Sequence, residues 1–201
     1  ADVPVGVFLV EPDGKVALAT REVQKPNGII VTPDGKTVFV ADNNPKGVLH
    51  LLSFRVQADG TLGEKRILYD FKAGRGIDGM ALGRDGLIYA TAGTGAKGGV
   101  YVFSPGGGEP KGFIPTPGDP TNCCFGADGA TLYITAGAGP RFGLYRIRVG
   151  LVWLAEAADG GPHVLGGPTE DPHHTPYRKL GAHVEEDYEM RALPSEAATW
   201  I

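Results

Sequence analysis

Pro26-Asn27-Gly28-Ile29-Ile30-Val31-Thr32-Pro33-Asp34-Gly35-Lys36-Thr37-Val38-Phe39-Val40 reads as two short strands around a tight turn. Runs of β-branched and aromatic residues closed by Pro-Asp-Gly are hairpin signals. The pattern then returns. Ile77-Asp78-Gly79-Met80 precedes Asp85-Gly86, and Thr121-Asn122-Cys123-Cys124-Phe125-Gly126 precedes Asp128-Gly129. Asn27 lies seven residues before Asp34, Asp78 seven before Asp85, and Asn122 six before Asp128. One supersecondary unit is repeated, and each copy carries an Asn or Asp at its entrance.

Outward from these segments the same punctuation continues. Further Asp-Gly turns fall at 13-14 and 59-60, with Pro105-Gly106 filling the gap before Asp128. Between them lie β-rich runs such as Val5-Gly6-Val7-Phe8-Leu9-Val10, Gly86-Leu87-Ile88-Tyr89-Ala90 and Gly99-Val100-Tyr101-Val102-Phe103. Ala130-Thr131-Leu132-Tyr133-Ile134-Thr135 and Gly143-Leu144-Tyr145-Arg146-Ile147 extend the series. Many of these runs are apolar on both faces, as strands packed between two neighbouring sheets must be. Asn27 to Asp78 spans 51 residues and Asp78 to Asn122 spans 44. A period in the forties with about four strands per unit is the β-propeller signature.

The fold expected is therefore all-β: a partial propeller over residues 1–149, with blades at about 26–72, 76–116 and 120–149. Residues 1–25 read as two outer strands of a preceding blade. About three and a half blades do not close a ring of about four to eight. The expectation is the C-terminal part of a longer protein.

Composition narrows the function classes. The 201 residues include 32 Gly and 16 Pro, yet 42% are hydrophobic, enough to build a core and to exclude a disordered chain. A net charge of -4 gives no basic footprint for nucleic acid. No run of about 18 apolar residues is present, so no membrane span is expected. Ala1 starts the chain without a signal-peptide pattern, and a soluble protein of unknown compartment is expected. Beyond Gly150 the alternation vanishes. Residues 150–201 carry nine acidic against three basic residues and hold His163, His173, His174 and His183, reading as an irregular tail. A short helix over Val184–Trp200, broken at Pro194, and a metal site on His173-His174 are the weaker readings there.

Inner propeller strands begin at the central channel, so Asn27, Asp78 and Asn122 line its mouth. One carboxylate with amide oxygens suits calcium or another hard divalent ion. Asp78 can also accept a proton from an attacking water. The alternative is that Asn and Asp before Gly are ordinary turn residues. Arg75 and Arg141 sit in loops near the mouth, as solvated charges or as holders of an anionic substrate. Gly93-Thr94-Gly95-Ala96-Lys97-Gly98 matches a dinucleotide fingerprint but runs into a strand, not a helix, and reads as a hairpin loop. None of the three serines stands in G-x-S-x-G. Cys123 and Cys124 are adjacent and point to opposite faces, as packed thiols rather than a bridge.

Pro26-Asn27-Gly28-Ile29, Pro33-Asp34-Gly35-Lys36-Thr37 and Val40-Ala41-Asp42-Asn43 together resemble the family of senescence marker protein (regucalcin), gluconolactonase and luciferin-regenerating enzyme. Asp78-Gly79-Met80 and Thr121-Asn122-Cys123-Cys124-Phe125-Gly126 are similar to its next two signatures, in order, so the resemblance covers about residues 5–149. It implies a six-bladed propeller with a divalent cation, often calcium, at one end of the channel, and hydrolysis of sugar lactones. Asn27 and Asp78 are implied as metal ligands, Asp78 also as the base, and Asn122 as a substrate or channel-lining residue. The family's further Glu ligand comes from its first blade and has no counterpart here, nor does the tail after Arg148 resemble its closing strands. The reading is a metal-dependent lactone hydrolase acting on a small-molecule lactone. Its rivals are a non-catalytic propeller that binds a partner at its mouth, and an inactive truncated product.

Overall fold

The computed structural model describes residues 4–138 and 141–149. The tail, with its His pair and helix reading, and the Arg141 side chain lie outside the described residues. Among the described residues, thirteen strands run in chain order: β1 (Val7–Val10), β2 (Val16–Thr20), β3 (Pro26–Val31), β4 (Thr37–Asn43), β5 (Leu49–Val56), β6 (Leu62–Asp70) and β7 (Met80–Leu82). They continue as β8 (Ile88–Ala92), β9 (Gly99–Phe103), β10 (Gly112–Pro115), β11 (Asp119–Phe125), β12 (Thr131–Ala138) and β13 (Arg141–Arg148). The only helical element among the described residues is a 3₁₀ turn at Gly95–Lys97, inside the loop whose glycines mimic a dinucleotide fingerprint.

Each strand pairs antiparallel with its sequence neighbour, giving four separate sheets: β1-β2, β3-β4-β5-β6, β7-β8-β9-β10 and β11-β12-β13. The first strands of the last three sheets lie side by side, β7 touching both β3 and β11, while β2 packs on β6. That is the arrangement of successive propeller blades around an axis, seen here as a partial ring. The turns follow the sequence reading. Gly14, Gly35, Gly60, Gly86 and Gly129, each the second residue of an Asp-Gly pair, all have positive φ.

Three apolar layers fill the spaces between the four sheets, and β4, β5, β8 and β9 each feed two of them. On β4, Phe39 and Ala41 join Leu51, Ile77, Met80, Ile88 and Phe103. Val38 and Val40 face the other way, onto Val7, Ala19, Leu52 and Phe54. On β8, Ile88 and Ala90 serve the first of these layers, whereas Tyr89 enters a third with Val100, Val102, Cys123, Leu132 and Ile134. This two-sided burial explains the doubly apolar runs, since each buried Val, Leu, Ile or Phe contributes about 1.5–3 kcal/mol. At the two ends of the array the faces are bare. Val5, Val10 and Val16 are exposed at one end, and Phe142 and Leu144 at the other.

The turn aspartates also set an acid limit. Asp128 accepts Thr131 Oγ1 at 2.6 Å and the backbone N–H groups of Ala130 and Thr131 at 3.0 Å each. Those hydrogen bonds hold its carboxyl at about 2, below the ordinary 3.8, and Asp34 and Asp59 are lowered in the same way by their own turns. A depressed folded pKa gives stability that is complete above the unfolded value and lost as pH falls through the folded one. The melting temperature is expected to decline from about pH 4 toward pH 2. In Asp128→Ala that decline is shallower, as melts at half-unit pH steps will show.

Candidate active site at the mouth of the propeller

Three inner strands bring their entrances together, and glycine makes the approach possible. A Cβ on Gly28 would lie 2.5 Å from the Asp78 carbonyl oxygen, so the first blade's entrance rests directly on the second's. A Cβ on Gly79 would lie 2.8 Å from Asn122 Cα, so the second rests on the third. Both glycines follow or abut a predicted site residue, and both are needed for that contact rather than for a turn.

A short polar side chain on the second strand of each blade fixes each entrance. Asp42, buried on β4, accepts the N–H groups of Gln24 at 2.8 Å and Lys25 at 2.7 Å, just ahead of Asn27. Thr91, buried on β8, accepts Gly79 N–H at 3.0 Å and donates to Gly79 O at 3.0 Å, while the Asp78 N–H donates to Thr91 O at 2.9 Å. On β12, Thr135 donates to Asn122 O at 3.3 Å and shares a 2.8 Å hydrogen bond with Thr121 Oγ1. These three positioners were missed in the sequence. Their signal there is a polar residue late in the second run of each unit, six to eight residues after the turn Asp.

The predicted site residues are placed as follows. Asn27 and Asp78 meet: Asn27 Nδ2 donates to Asp78 Oδ1 across the seam between the first two blades. Asn122 stands beside them, packed on Gly79, and its amide oxygen accepts the N–H of Cys123 at 2.9 Å. Cys124 is exposed and Cys123 buried, with its thiol pushed up to about 12 by desolvation, so Cys123 is packing and not a nucleophile.

Arg75 departs from the solvated-charge reading. Its Nη2 pairs with Asp78 Oδ2, and its Nη1 donates to Pro120 O at 2.7 Å and Gly93 O at 3.3 Å. Polar contacts thus run from Asn27 through Asp78 and Arg75 to Pro120, linking three blades.

The residues 2–138 match the family described as SMP-30/Gluconolactonase/LRE-like region, over most of the chain and across all three entrance motifs. This chain belongs to that family. A gluconolactonase of Zymomonas mobilis is 33% identical over 140 residues, 65% of this chain and 38% of the relative. The solved gluconolactonase of Xanthomonas campestris superposes with a TM-score of 0.57 at 31% identity, covering 68% of this chain and 44% of the other. The calcium-binding protein regucalcin of Agrobacterium tumefaciens superposes with a TM-score of 0.51 at 22% identity, covering 63% and 43%, which supports the fold alone. This family member therefore spans well under half the length of the gluconolactonases it matches. No helix among its described residues is long and apolar enough to cross a membrane.

The donor set can be tested against a divalent cation. Asp78 offers a carboxylate, and a half-turn of the Asn27 amide exchanges Nδ2 for Oδ1, placing two hard oxygens within reach of one ion. Both fit. Calcium takes about six to eight oxygens, so these two are members of a larger set. Among the described residues no group of three or more His, Cys, Asp or Glu is assembled.

Proposed function

We propose that this chain carries part of the active site of a divalent-metal-dependent lactone hydrolase, with calcium the first candidate ion. The observation that supports this most is the meeting of Asn27 and Asp78 across a blade seam, in a chain 33% identical over 140 residues to a gluconolactonase. Asn27 and Asp78 would hold the cation, which when bound supplies Lewis acidity toward the lactone carbonyl.

The rest falls to the side chains. Asp78 Oδ2 has one hydrogen bond from Arg75 and keeps a second lone pair for a proton, while Oδ1 would face the cation. As water adds to the lactone carbon, Asp78 accepts its proton. The ring C–O bond then breaks, and the proton passes to the departing ring oxygen, giving the open hydroxy acid. Asn122, on the neighbouring blade, would bind hydroxyls of the sugar lactone.

The test is hydrolysis of δ-gluconolactone followed by acid release in a pH-stat, with added calcium and then with chelator. Acid release above the spontaneous rate that the chelator removes is the expected result. No acceleration at any divalent-ion concentration would leave the non-catalytic propeller as the better reading.

A further inference from the structure

Arg75 and Asp78 are each only one-quarter exposed in their side chains, and the pair sits where the cation is proposed to bind. We propose that Arg75 is the resident counter-charge of Asp78 and sets how tightly the mouth holds a divalent cation. This rests on the reading of Asp78 as a cation ligand.

Two effects of the guanidinium oppose each other. It orients the carboxylate: Nη2 holds Oδ2 while Nη1 is anchored on Pro120 O and Gly93 O, and the Arg75 carbonyl accepts Gly93 N–H at 3.0 Å. Losing that orientation frees one short side chain and weakens cation binding by about two- to threefold. The guanidinium also sets a fixed positive charge one carboxylate away from the ion. A unit charge about 5 Å from a divalent ion lowers affinity roughly tenfold even at the dielectric of water. It occupies a lone pair of Oδ2 as well. Repulsion outweighs orientation, so a neutral residue at position 75 is expected to tighten binding about fivefold.

The same substitution removes the hydrogen bonds to Pro120 O and Gly93 O, two of the links that hold the third blade and the β8–β9 loop. Thermal stability should therefore fall while cation affinity rises. An arginine with a merely structural role would lower both together.

Calorimetric titration of calcium into the parent chain, Arg75→Gln, Arg75→Lys and Asp78→Asn, each with a thermal melt, tests this. Arg75→Gln is expected to melt lower and bind about fivefold tighter. Arg75→Lys keeps the charge, so it should melt lower without binding tighter. Asp78→Asn should abolish binding in both the parent and the Arg75→Gln background. Arg75→Met, which keeps the aliphatic stem, repeats the test if the Gln chain does not fold. Binding that Asp78→Asn removes but that neither neutral variant tightens overturns the counter-charge role and leaves Asp78 a ligand. Calcium binding indifferent to Asp78→Asn, or absent from both parent and neutral variants, overturns the ligand reading and this inference with it.

Discussion

Asp78→Ala is expected to reduce lactone hydrolysis to the spontaneous rate and to weaken cation binding by roughly 100-fold or more. Losing a hydrogen-bond partner of a metal ligand already costs about 10- to 100-fold, and here the proposed ligand itself is removed. Of the three entrance residues, Asp78 is the one carboxylate, so no neighbour in the trio replaces its charge. The substitution also leaves Asn27 Nδ2 and Arg75 Nη2 without their acceptor. Both groups retain access to water, so the stability cost should stay near 1–3 kcal/mol and the fold should survive. Asp78→Asn separates charge from shape. It retains the side-chain volume and an acceptor oxygen, so it should melt closer to the parent while losing cation binding almost as completely. Parallel melts and calcium titrations of the three proteins check both halves of this expectation. Parent-like hydrolysis in the Asn variant would show that the carboxylate is dispensable.

Gly79→Ala is expected to cost about 1–3 kcal/mol and to disrupt the site without touching any proposed ligand. The added methyl would lie 2.8 Å from Asn122 Cα and 2.5 Å from its Cγ. The Cα is backbone on β11, held in register by pairing of Asn122 with Thr135 and Cys123 with Ile134, so it has no cheap way to move. Relief must come from opening the seam between the second and third blades. That carries Asn122 away from Asp78 and strains the Arg75 contact to Pro120 O. Denaturant unfolding should therefore report a lower midpoint, and any lactone hydrolysis should weaken through KM if Asn122 holds substrate. Gly86→Ala offers the contrast. It stands at a positive-φ turn with open space around the new methyl, so its penalty is local backbone strain and the mouth should be unaffected.

Much of the fold was readable because its two strongest determinants are local. An Asp-Gly pair fixes a positive-φ turn within four residues, and its recurrence counts the blades. Doubly apolar runs report burial on both faces, which Phe39 and Val40 bear out by entering different cores. The positions of the entrance trio were legible for the same reason: each stands six or seven residues before its turn Asp. Arg75 was not. Its partners Asp78, Gly93 and Pro120 are reached through an irregular segment, and no periodicity tells where a long side chain in such a segment will point. Asp42, Thr91 and Thr135 were equally hidden. A polar residue at a strand end looks like ordinary alternation until the strand beside it is known. The close approach at Gly28 and Gly79 was likewise invisible, since glycine beside Asn or Asp signals a turn first. Pairwise contacts between blades carry the site, and a single sequence records them only through residues that resemble something simpler.

A divalent cation is expected to bind at the meeting of Asn27 and Asp78. Substoichiometric manganese added to the isotopically labelled chain tests it most directly, through paramagnetic broadening of backbone amides. The amides of Gly28, Asp78, Gly79 and Cys123 should broaden first, while those of Gly35, Gly86 and Gly129, at the far ends of their strands, stay sharp. Asp78→Ala should abolish the selective loss. Broadening centred on the Asp-Gly turns, or none at the three entrances, would place the cation elsewhere and remove Asn27 and Asp78 as its ligands.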